Sequence, residues 1–158
     1  MKKISNPYKK MAGYQCFGCA PHNHNGLQMS FAMDGEYMVS EWEPKDYFQG
    51  YYNVLHGGIQ ATLMDEIASW LVQVKLKTAG VTSTMNVRYK KPVSIDKGII
   101  RLRAKLTGQH RNLAEIHVEL FGPENELCAE SDFVYFTYSR EVAVKRLHYP
   151  DYEEFFEE

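Results

Sequence analysis

The sequence predicts an α+β fold in which an antiparallel sheet of about five to six strands wraps one long central helix. Residues 58–78 carry apolar side chains at spacings of three and four, which is the period of a helix. Segments before and after it alternate apolar and polar residues, which is the period of a strand. The order is two strands, one helix and then four strands.

The predicted chain begins with an irregular or partly helical leader over residues 1–26, because glycine and proline interrupt it repeatedly. Two strands follow, Leu27–Met33 and Tyr37–Trp42, joined by the turn Asp34-Gly35. Glu43–Val54 is predicted to be a loop.

The helix is predicted from Gly58 to Thr78, with Ile59, Leu63 and Ile67 on its apolar stripe. Apolar residues cover so much of its circumference that the helix is expected to be largely buried. No proline interrupts it, and Gly80 is a typical stop signal.

Four strands and two hairpin turns are predicted for the remainder, followed by a tail over residues 140–158 with a short helix after Pro150. A single domain is expected to cover residues 1–158. The strands are Val81–Lys90, Ile99–Thr107, Ala114–Phe121 and Cys128–Tyr138, and the turns are Gly108–Asn112 and Gly122–Asn125.

The composition excludes several classes of protein. A net charge of -2 provides no basic field for nucleic acid or an anionic membrane. No apolar run is long enough to span a bilayer, and the first residues lack the apolar core of a signal peptide. Three cysteines are few and odd in number, which argues against a disulfide framework and favours a reducing cytoplasm.

The segment His56-Gly57-Gly58 stands directly before the predicted helix. Glycine lets a ligand approach the backbone, and a helix N-terminus offers unpaired N–H groups with a partial positive charge. Such a site suits an anion or a carbonyl oxygen that becomes negative during acyl transfer. The alternative is a tight turn that only joins the loop to the helix.

Asp65 lies among apolar residues of the same helix, where a carboxylate is costly unless it is paired or functional. The alternative is an exposed helix edge, which is also the simplest interpretation of Glu66. Eight residues separate Gly57 from Asp65, or roughly 12 Å at 1.5 Å per residue. Asp65 therefore cannot act on a carbonyl held at Gly57 of its own helix, whereas an antiparallel partner helix would bring its own aspartate there. This geometry predicts a two-fold dimer with shared sites.

His56-Gly57-Gly58 followed by Asp65, nine residues after the histidine, resembles the signature of PaaI-type hotdog acyl-CoA thioesterases. These enzymes belong to the 4-hydroxybenzoyl-CoA thioesterase superfamily. Residues 82–92 (TSTMNVRYKKP) are similar to the strand that follows the helix in this family. Cys16-Phe17-Gly18-Cys19, Asn23 and Gly26-Leu27 resemble the leader of one branch of it. The resemblance covers most of residues 16–138 and implies the hotdog fold.

The resemblance also implies the reaction, which is hydrolysis of an acyl-CoA thioester to a carboxylic acid and free CoA without a cofactor. The Gly57 amide would polarise the carbonyl, and Asp65 of the opposite subunit would act as base or nucleophile. Thr82 matches a hydroxyl position beside that carboxylate and would hold the water. His56 would build the turn and contact the thioester. The expected partners are acyl-CoA and further copies of the chain, as a homodimer or a dimer of dimers.

Two sets of binding residues accompany these roles. Gly58 is expected to contact the substrate together with the basic cluster Arg88, Lys90 and Lys91, which would meet the CoA phosphates or would otherwise be a solvated strand end. The family carries Asn or Gln six residues before the histidine, where this chain has Gly50. The flanking residues Gln49 and Asn53 are the candidates for that amide.

Other interpretations of the sequence remain open. Cys16-x-x-Cys19 with His22 and His24 would suit a zinc or redox site, but so compressed a ligand set is unusual, and an ordinary loop without metal is expected. A hotdog chain could also bind acyl-CoA as a regulator without turnover. A third function is an acyl-thioester hydratase or dehydratase, although such enzymes place their histidine on the helix itself.

Overall fold

The computed structural model describes residues 1–157, in which a seven-stranded antiparallel sheet packs on one long helix. The strand order across the sheet is β1-β2-β3-β5-β6-β7-β4. This arrangement confirms the predicted α+β class. The strands are β1 Lys2–Ile4, β2 Phe31–Asp34, β3 Tyr37–Trp42, β4 Gly80–Tyr89, β5 Ile100–His110, β6 Leu113–Phe121 and β7 Leu127–Thr137, and the helices are α1 Gly57–Lys75 and α2 Arg140–Leu147.

The core lies between α1 and the concave face of the sheet. The helix buries its apolar stripe completely at Leu63, Met64 and Ile67, against inward-facing residues of the sheet such as Ile116 and Phe133. Each fully buried side chain of this size contributes about 1.5–3 kcal/mol. This burial holds α1, and with it any chemistry at its two ends, in a fixed position on the sheet.

The leader is more ordered than its sequence suggested. Lys2–Ile4 forms the edge strand β1 and pairs with β2, so the sheet has seven strands rather than five or six. A 3-10 helix follows at Pro7–Lys10, where the Asn6 side chain accepts a hydrogen bond from the Tyr8 amide at 3.1 Å. A strand of three residues is too short to display an alternating pattern, which is why the sequence did not reveal β1.

The first predicted strand begins later than expected, at Phe31 rather than Leu27. Leu27 is nevertheless buried, and its amide donates to the Phe17 carbonyl at 2.7 Å. The Met29 amide donates to the Gly18 carbonyl at 2.9 Å. The residues before β2 are therefore held by the leader, which lies directly beside them.

The helix ends before the predicted boundary. It stops at Lys75, and Lys77 turns the chain with a left-handed φ of 55°. The prediction that Gly80 is the stop signal was wrong, because Gly80 opens β4. A Cβ at this glycine would lie 2.5 Å from the Phe136 carbonyl oxygen, so a close approach of two strands requires the residue.

The hairpin between β5 and β6 is tighter than the predicted turn Gly108–Asn112. β5 continues to His110 through an irregularity between Leu106 and Gly108. The turn is reduced to Arg111 and Asn112, with Arg111 at a φ of 54°. The second predicted turn, Gly122–Asn125, is present. It is closed by a hydrogen bond that the Asn125 amide donates to the Gly122 carbonyl at 2.9 Å.

The tail contains one helix that the sequence did not reveal and one that it did. α2 begins after Ser139, whose side chain accepts from the Val142 amide at 3.3 Å. A 3-10 helix at Tyr152–Phe156 follows Pro150, as predicted, and buries Phe155. Residue 158, the last of the predicted tail, lies outside the described residues.

β4 lies at an edge of the sheet and pairs with β7. A bulge between Thr82 and Thr84 leaves Ser83 without a partner in that ladder. Apolar side chains of this strand are solvent-exposed, with Val81 at 44%, Met85 at 39% and Tyr89 at 53%. A long edge strand with exposed apolar residues is an unusual surface for an isolated chain.

Within residues 1–157, no helix is both long and apolar enough to cross a membrane.

Candidate active site

The start of α1 is organised by His56. Its ring Nδ1 accepts a hydrogen bond from the Gly58 amide at 2.9 Å and thereby caps the helix. The His56 amide donates to the Phe48 carbonyl at 3.0 Å, which fixes the incoming loop. The Gly57 amide donates to no acceptor in residues 1–157. Of the two glycine amides predicted to face a ligand, the one at Gly57 is therefore available and the one at Gly58 is already bonded.

Tyr89 closes this end of the helix from the sheet. Its hydroxyl donates to the Gly57 carbonyl at 2.6 Å. Burial raises the pKa of Tyr89, so the phenol remains a donor at neutral pH. This contact fastens the Gly57–Gly58 peptide, directly after the free amide, to β4. It was not anticipated, because the sequence marks Tyr89 only as one residue in an alternating strand.

A cleft of about 630 Å³ opens at this point. Lys90 and Lys91 form part of its wall, and the Lys90 ammonium also lies 3.4 Å from Glu130. Arg88 does not line the cleft and is bound to Glu130 and Asp132 on the sheet surface. The structure thus brings two of the three predicted basic residues to the helix start. The cleft is lined by Gly50, Tyr51, Val54, Leu55, His56, Gly57, Gln60, Tyr89, Lys90, Lys91 and Pro92.

Gln60 contributes an unexpected polar group to this cleft. It is only 4% exposed, and its side-chain amide donates to the Leu55 carbonyl at 3.1 Å. Its Oε1 has no hydrogen-bond partner among the described residues. A buried acceptor without a partner is costly in free energy, so it is expected to meet a donor from a bound molecule or water.

Asp65 is held by two hydroxyl groups. Thr82 donates to Oδ1 at 2.6 Å, and Tyr135 donates to the same oxygen at 2.6 Å. The Tyr135 hydroxyl also lies 2.8 Å from the Asp65 carbonyl oxygen. Burial and the nearby carboxylate raise the pKa of Tyr135, which keeps its proton available. The carboxylate is therefore fixed in position, with one oxygen doubly bonded to donors.

Thr82 was predicted to lie beside this carboxylate, whereas Tyr135 was not. Tyr135 comes 70 residues after Asp65 and is fully buried in β7. The only signal in the sequence was a tyrosine among the apolar positions of a core strand, where its hydroxyl needs a partner.

Asp65 and Thr82 do not line the cleft at the start of their own helix. Helical geometry separates Gly57 and Asp65 by roughly 12 Å. The free amide and the fixed carboxylate are therefore two separate groups within one chain.

The two candidate amides before the helix differ in their contacts. The Asn53 side chain donates to Ser94 at 3.4 Å, and its backbone has a left-handed φ of 61°. It fastens one loop to another. The Gln49 Oε1 accepts a hydrogen bond from the backbone amide of Asn53 at 2.8 Å. Gln49 also lines a smaller cleft of about 350 Å³ beside His56 and Gly58. Gln49 is the better placed of the two.

Comparisons with known proteins agree with this architecture. Residues 52–129 match the family model described as thioesterase superfamily, and this range holds the helix start, Asp65 and Thr82. Acyl-coenzyme A thioesterase 13 of Mus musculus is 30% identical over 86 residues, which are 54% of this chain and 61% of that protein. The chain thus spans less than two thirds of the length of this relative.

Solved structures resemble the chain in fold. A thioesterase superfamily protein superposes with a TM-score of 0.67 at 17% identity, over 74% of this chain and 57% of its own. A hypothetical thioesterase from Streptococcus pneumoniae, solved with coenzyme A, has a TM-score of 0.65 at 23% identity, over 71% of this chain and 90% of its own. The long helix against a curved antiparallel sheet is the hotdog fold. The match over residues 52–129 and the similarity to the mouse protein confirm the resemblance to thioesterases seen in the sequence.

Proposed function

We propose that this protein hydrolyses an acyl-CoA thioester to a carboxylic acid and free CoA, as a thioesterase of the PaaI type. The observation that carries the proposal is the unbonded Gly57 amide at the start of a buried helix, within a cleft. An amide in this position stabilises the negative charge that develops on a thioester carbonyl oxygen.

The Gly57 amide is well prepared for this role. The Gly57 N–H shares its peptide plane with the His56 carbonyl, which accepts a hydrogen bond from the Gln60 amide at 3.0 Å. The following peptide is held by Tyr89 on its carbonyl at 2.6 Å and by His56 on its amide at 2.9 Å. The free amide is therefore fixed before substrate arrives, and little reorganisation is needed when charge develops. His56 serves as the cap that sets this geometry and as part of the cleft wall.

Asp65 is the proposed base or nucleophile. Its Oδ1 accepts from Thr82 and Tyr135, which leaves the other carboxylate oxygen for water or for the thioester carbon. Because Asp65 does not line the cleft of its own chain, the carboxylate that acts at Gly57 is proposed to come from a second subunit. Thr82 positions this carboxylate.

The CoA portion is proposed to bind along the wall that carries Lys90 and Lys91. Both lysines lie at the cleft, and Lys91 forms no salt bridge within residues 1–157. Ammonium groups at this place suit phosphate oxygens. Arg88 is less suited, because two carboxylates already bind it. The mouse relative carries acyl-coenzyme A in its name, which agrees with this substrate class.

The second subunit is proposed to join at β4. This edge strand exposes Val81, Met85 and Tyr89, and it contacts Asp65 through Thr82 and the start of α1 through Tyr89. Pairing of two β4 strands would extend the sheet and cover these side chains. A dimer, or a pair of such dimers, in the cytoplasm is the proposed assembly, and the three unbridged cysteines fit a reducing compartment.

Two other functions share the same fold. A regulator would bind acyl-CoA in the cleft without turnover. A hydratase would place its histidine on the helix itself, whereas His56 precedes the helix and caps it through Nδ1. Hydrolysis uses the free amide and the fixed carboxylate together, which neither alternative requires.

The test is a panel of acyl-CoA esters, aromatic, branched and medium-chain, with detection of released thiol. We expect turnover of at least one ester, and Asp65→Asn should lower kcat by about a hundredfold. Asp34→Asn, at the exposed end of β2, is the matched control and should remain active. Binding of the esters without thiol release would support the regulator instead. Loss of absorbance from an enoyl-CoA would support the hydratase.

A further inference from the structure

We propose that Cys16, Cys19 and Glu66 form a binding site for a thiophilic divalent metal ion such as Zn²⁺, which fastens the leader to α1. The site is separate from the cleft and does not depend on the proposed hydrolase activity. It lies where the Cys-x-x-Cys loop of the leader meets the middle of the long helix.

The three side chains converge. The Cys16 and Cys19 sulfurs are 3.1 Å apart, and the Cys16 sulfur is 3.4 Å from Glu66 Oε1. One ligand atom from each residue lies within 4.8 Å of the other two. The Tyr14 hydroxyl, 2.9 Å from the Cys19 sulfur, is the nearest further oxygen. Two sulfurs and a carboxylate oxygen are donors that Zn²⁺ accepts, with a water or hydroxyl as fourth ligand.

The loop is shaped around the glutamate. A Cβ at Gly18 would lie 2.4 Å from the Glu66 carboxyl carbon, so glycine lets the loop approach the glutamate this closely without displacing its carboxyl group. Backbone hydrogen bonds also stabilise the loop, including one that the Ala20 amide donates to the Cys16 carbonyl at 3.1 Å. The cysteines are therefore presented to Glu66 by a fixed backbone, as a metal site needs.

The charges in this cluster call for a cation. No salt bridge reaches Glu66 within residues 1–157, and its nearest polar partner besides the thiols is the Trp70 indole at 3.1 Å. A divalent metal bound by the Glu66 carboxylate and the two sulfurs would supply a cation at this place.

Binding of the metal ion releases protons from its ligands. The metal replaces the proton of each thiol that is still protonated and that of Glu66 where it is neutral, and these protons go to solvent. With a zinc–sulfur distance of about 2.3 Å and tetrahedral angles, the sulfurs would move apart to roughly 3.8 Å. That change of about 0.7 Å requires only small side-chain rotations.

Oxidation of the two cysteines to a disulfide is the competing outcome. It would remove the thiol that donates to Glu66 and would leave a buried carboxyl without that partner. The presence of Glu66 therefore favours a metal. The histidines that the sequence suggested as ligands do not join the cluster, since the His22 ring contacts the Tyr14 carbonyl at 2.5 Å instead.

The test uses the full chain, reduced and stripped of metal with a chelator, then titrated with Co²⁺ and afterwards with Zn²⁺. We expect one Co²⁺ per chain with a sulfur-to-cobalt charge-transfer band that Zn²⁺ abolishes. Cys16→Ser and Glu66→Gln should each weaken affinity roughly tenfold or more. Cys128→Ser, at a buried thiol outside the cluster, is the control and should bind normally.

Circular dichroism of each variant shows whether it has folded, and the conclusion depends on folded variants alone. Cys16 is partly exposed and Glu66→Gln is nearly isosteric, so both are expected to fold. Absence of the charge-transfer band in the reduced wild-type chain would overturn the proposal. So would a Cys128→Ser variant that loses metal as much as Cys16→Ser, or rapid Cys16–Cys19 disulfide formation that excess Zn²⁺ does not prevent.

Discussion

Replacing Tyr135 with phenylalanine isolates the hydroxyl that holds Asp65. The substitution keeps the buried ring and removes one donor, which reaches Asp65 Oδ1 at 2.6 Å and the Asp65 carbonyl at 2.8 Å. Thr82 still donates to the same carboxylate oxygen at 2.6 Å. The carboxylate thus keeps one hydroxyl partner of two and gains rotational freedom.

The magnitude follows from these contacts. A hydrogen bond to a charged group contributes about 1.5–3 kcal/mol, and because Thr82 remains, we expect a loss of about 2 kcal/mol in unfolding free energy. For a chain of 158 residues this lowers Tm by roughly 4–8 °C. If part of the same energy positions the carboxylate in the transition state, kcat should fall about tenfold, with KM little changed.

Tyr149→Phe provides the matched control. The Tyr149 hydroxyl also donates to a carbonyl of α1, that of Gln73, at 2.7 Å, and the residue is buried. Its loss should cost comparable stability and leave kcat unchanged. Thermal unfolding and thiol release, measured on both variants, separate the two effects. Equal kcat for Tyr135→Phe and wild type, or equal losses in both variants, would refute a positioning role for Tyr135.

Three further predictions follow from the contacts of Gly57, Glu66 and Met85. Gly57→Pro removes the free amide at a first helical position that tolerates proline, so kcat should fall about a hundredfold. Gly57→Ala keeps the amide and should stay active. If sites are shared between subunits, mixing the proline variant with Asp65→Asn should restore some activity. Because the pKa of Glu66 is raised, the metal-free folded chain binds the carboxyl proton more tightly than the unfolded chain does. The free energy of unfolding should therefore fall as pH rises from about 4.5 to 7, and Glu66→Gln should show a flatter dependence on pH in denaturation experiments. Met85→Glu should convert the proposed dimer to monomers in light scattering, whereas Val144→Glu, at an even more exposed site on α2, should not.

The sequence predicted most of what depends on long periodic segments. The helix and the later strands were placed within a few residues, because apolar spacing survives over ten or more residues. β1 and α2 were not predicted, since three residues carry no period and α2 buries only Ala143. Gly80 was wrongly interpreted as a stop signal, because glycine is also used where two strands approach closely. Its closeness to the Phe136 carbonyl, which the sequence does not reveal, identifies the second use.

The site was predictable where one short segment contains it and not where distant strands complete it. The His56-Gly57-Gly58 cap and the neighbourhood of Asp65 and Thr82 were expected from the motif. The Tyr135 contact joins residues that pairing of distant strands brings together, and nothing local indicates it. Glu66 was interpreted as an exposed neighbour of Asp65, whereas a helix turns about 100° per residue and directs it to the leader.

The extra residue at Ser83 has a geometric effect that reaches along the whole of β4. Thr82 and Tyr89 are seven positions apart, and in an uninterrupted strand such residues would project from opposite sides of the sheet. Since the bulge adds one unpaired position between them, both side chains face α1, one at Asp65 and the other at Gly57. One inserted residue therefore lets a single strand form hydrogen bonds with the same helix at two points. Deleting it would leave β4 able to serve only one of the two at a time.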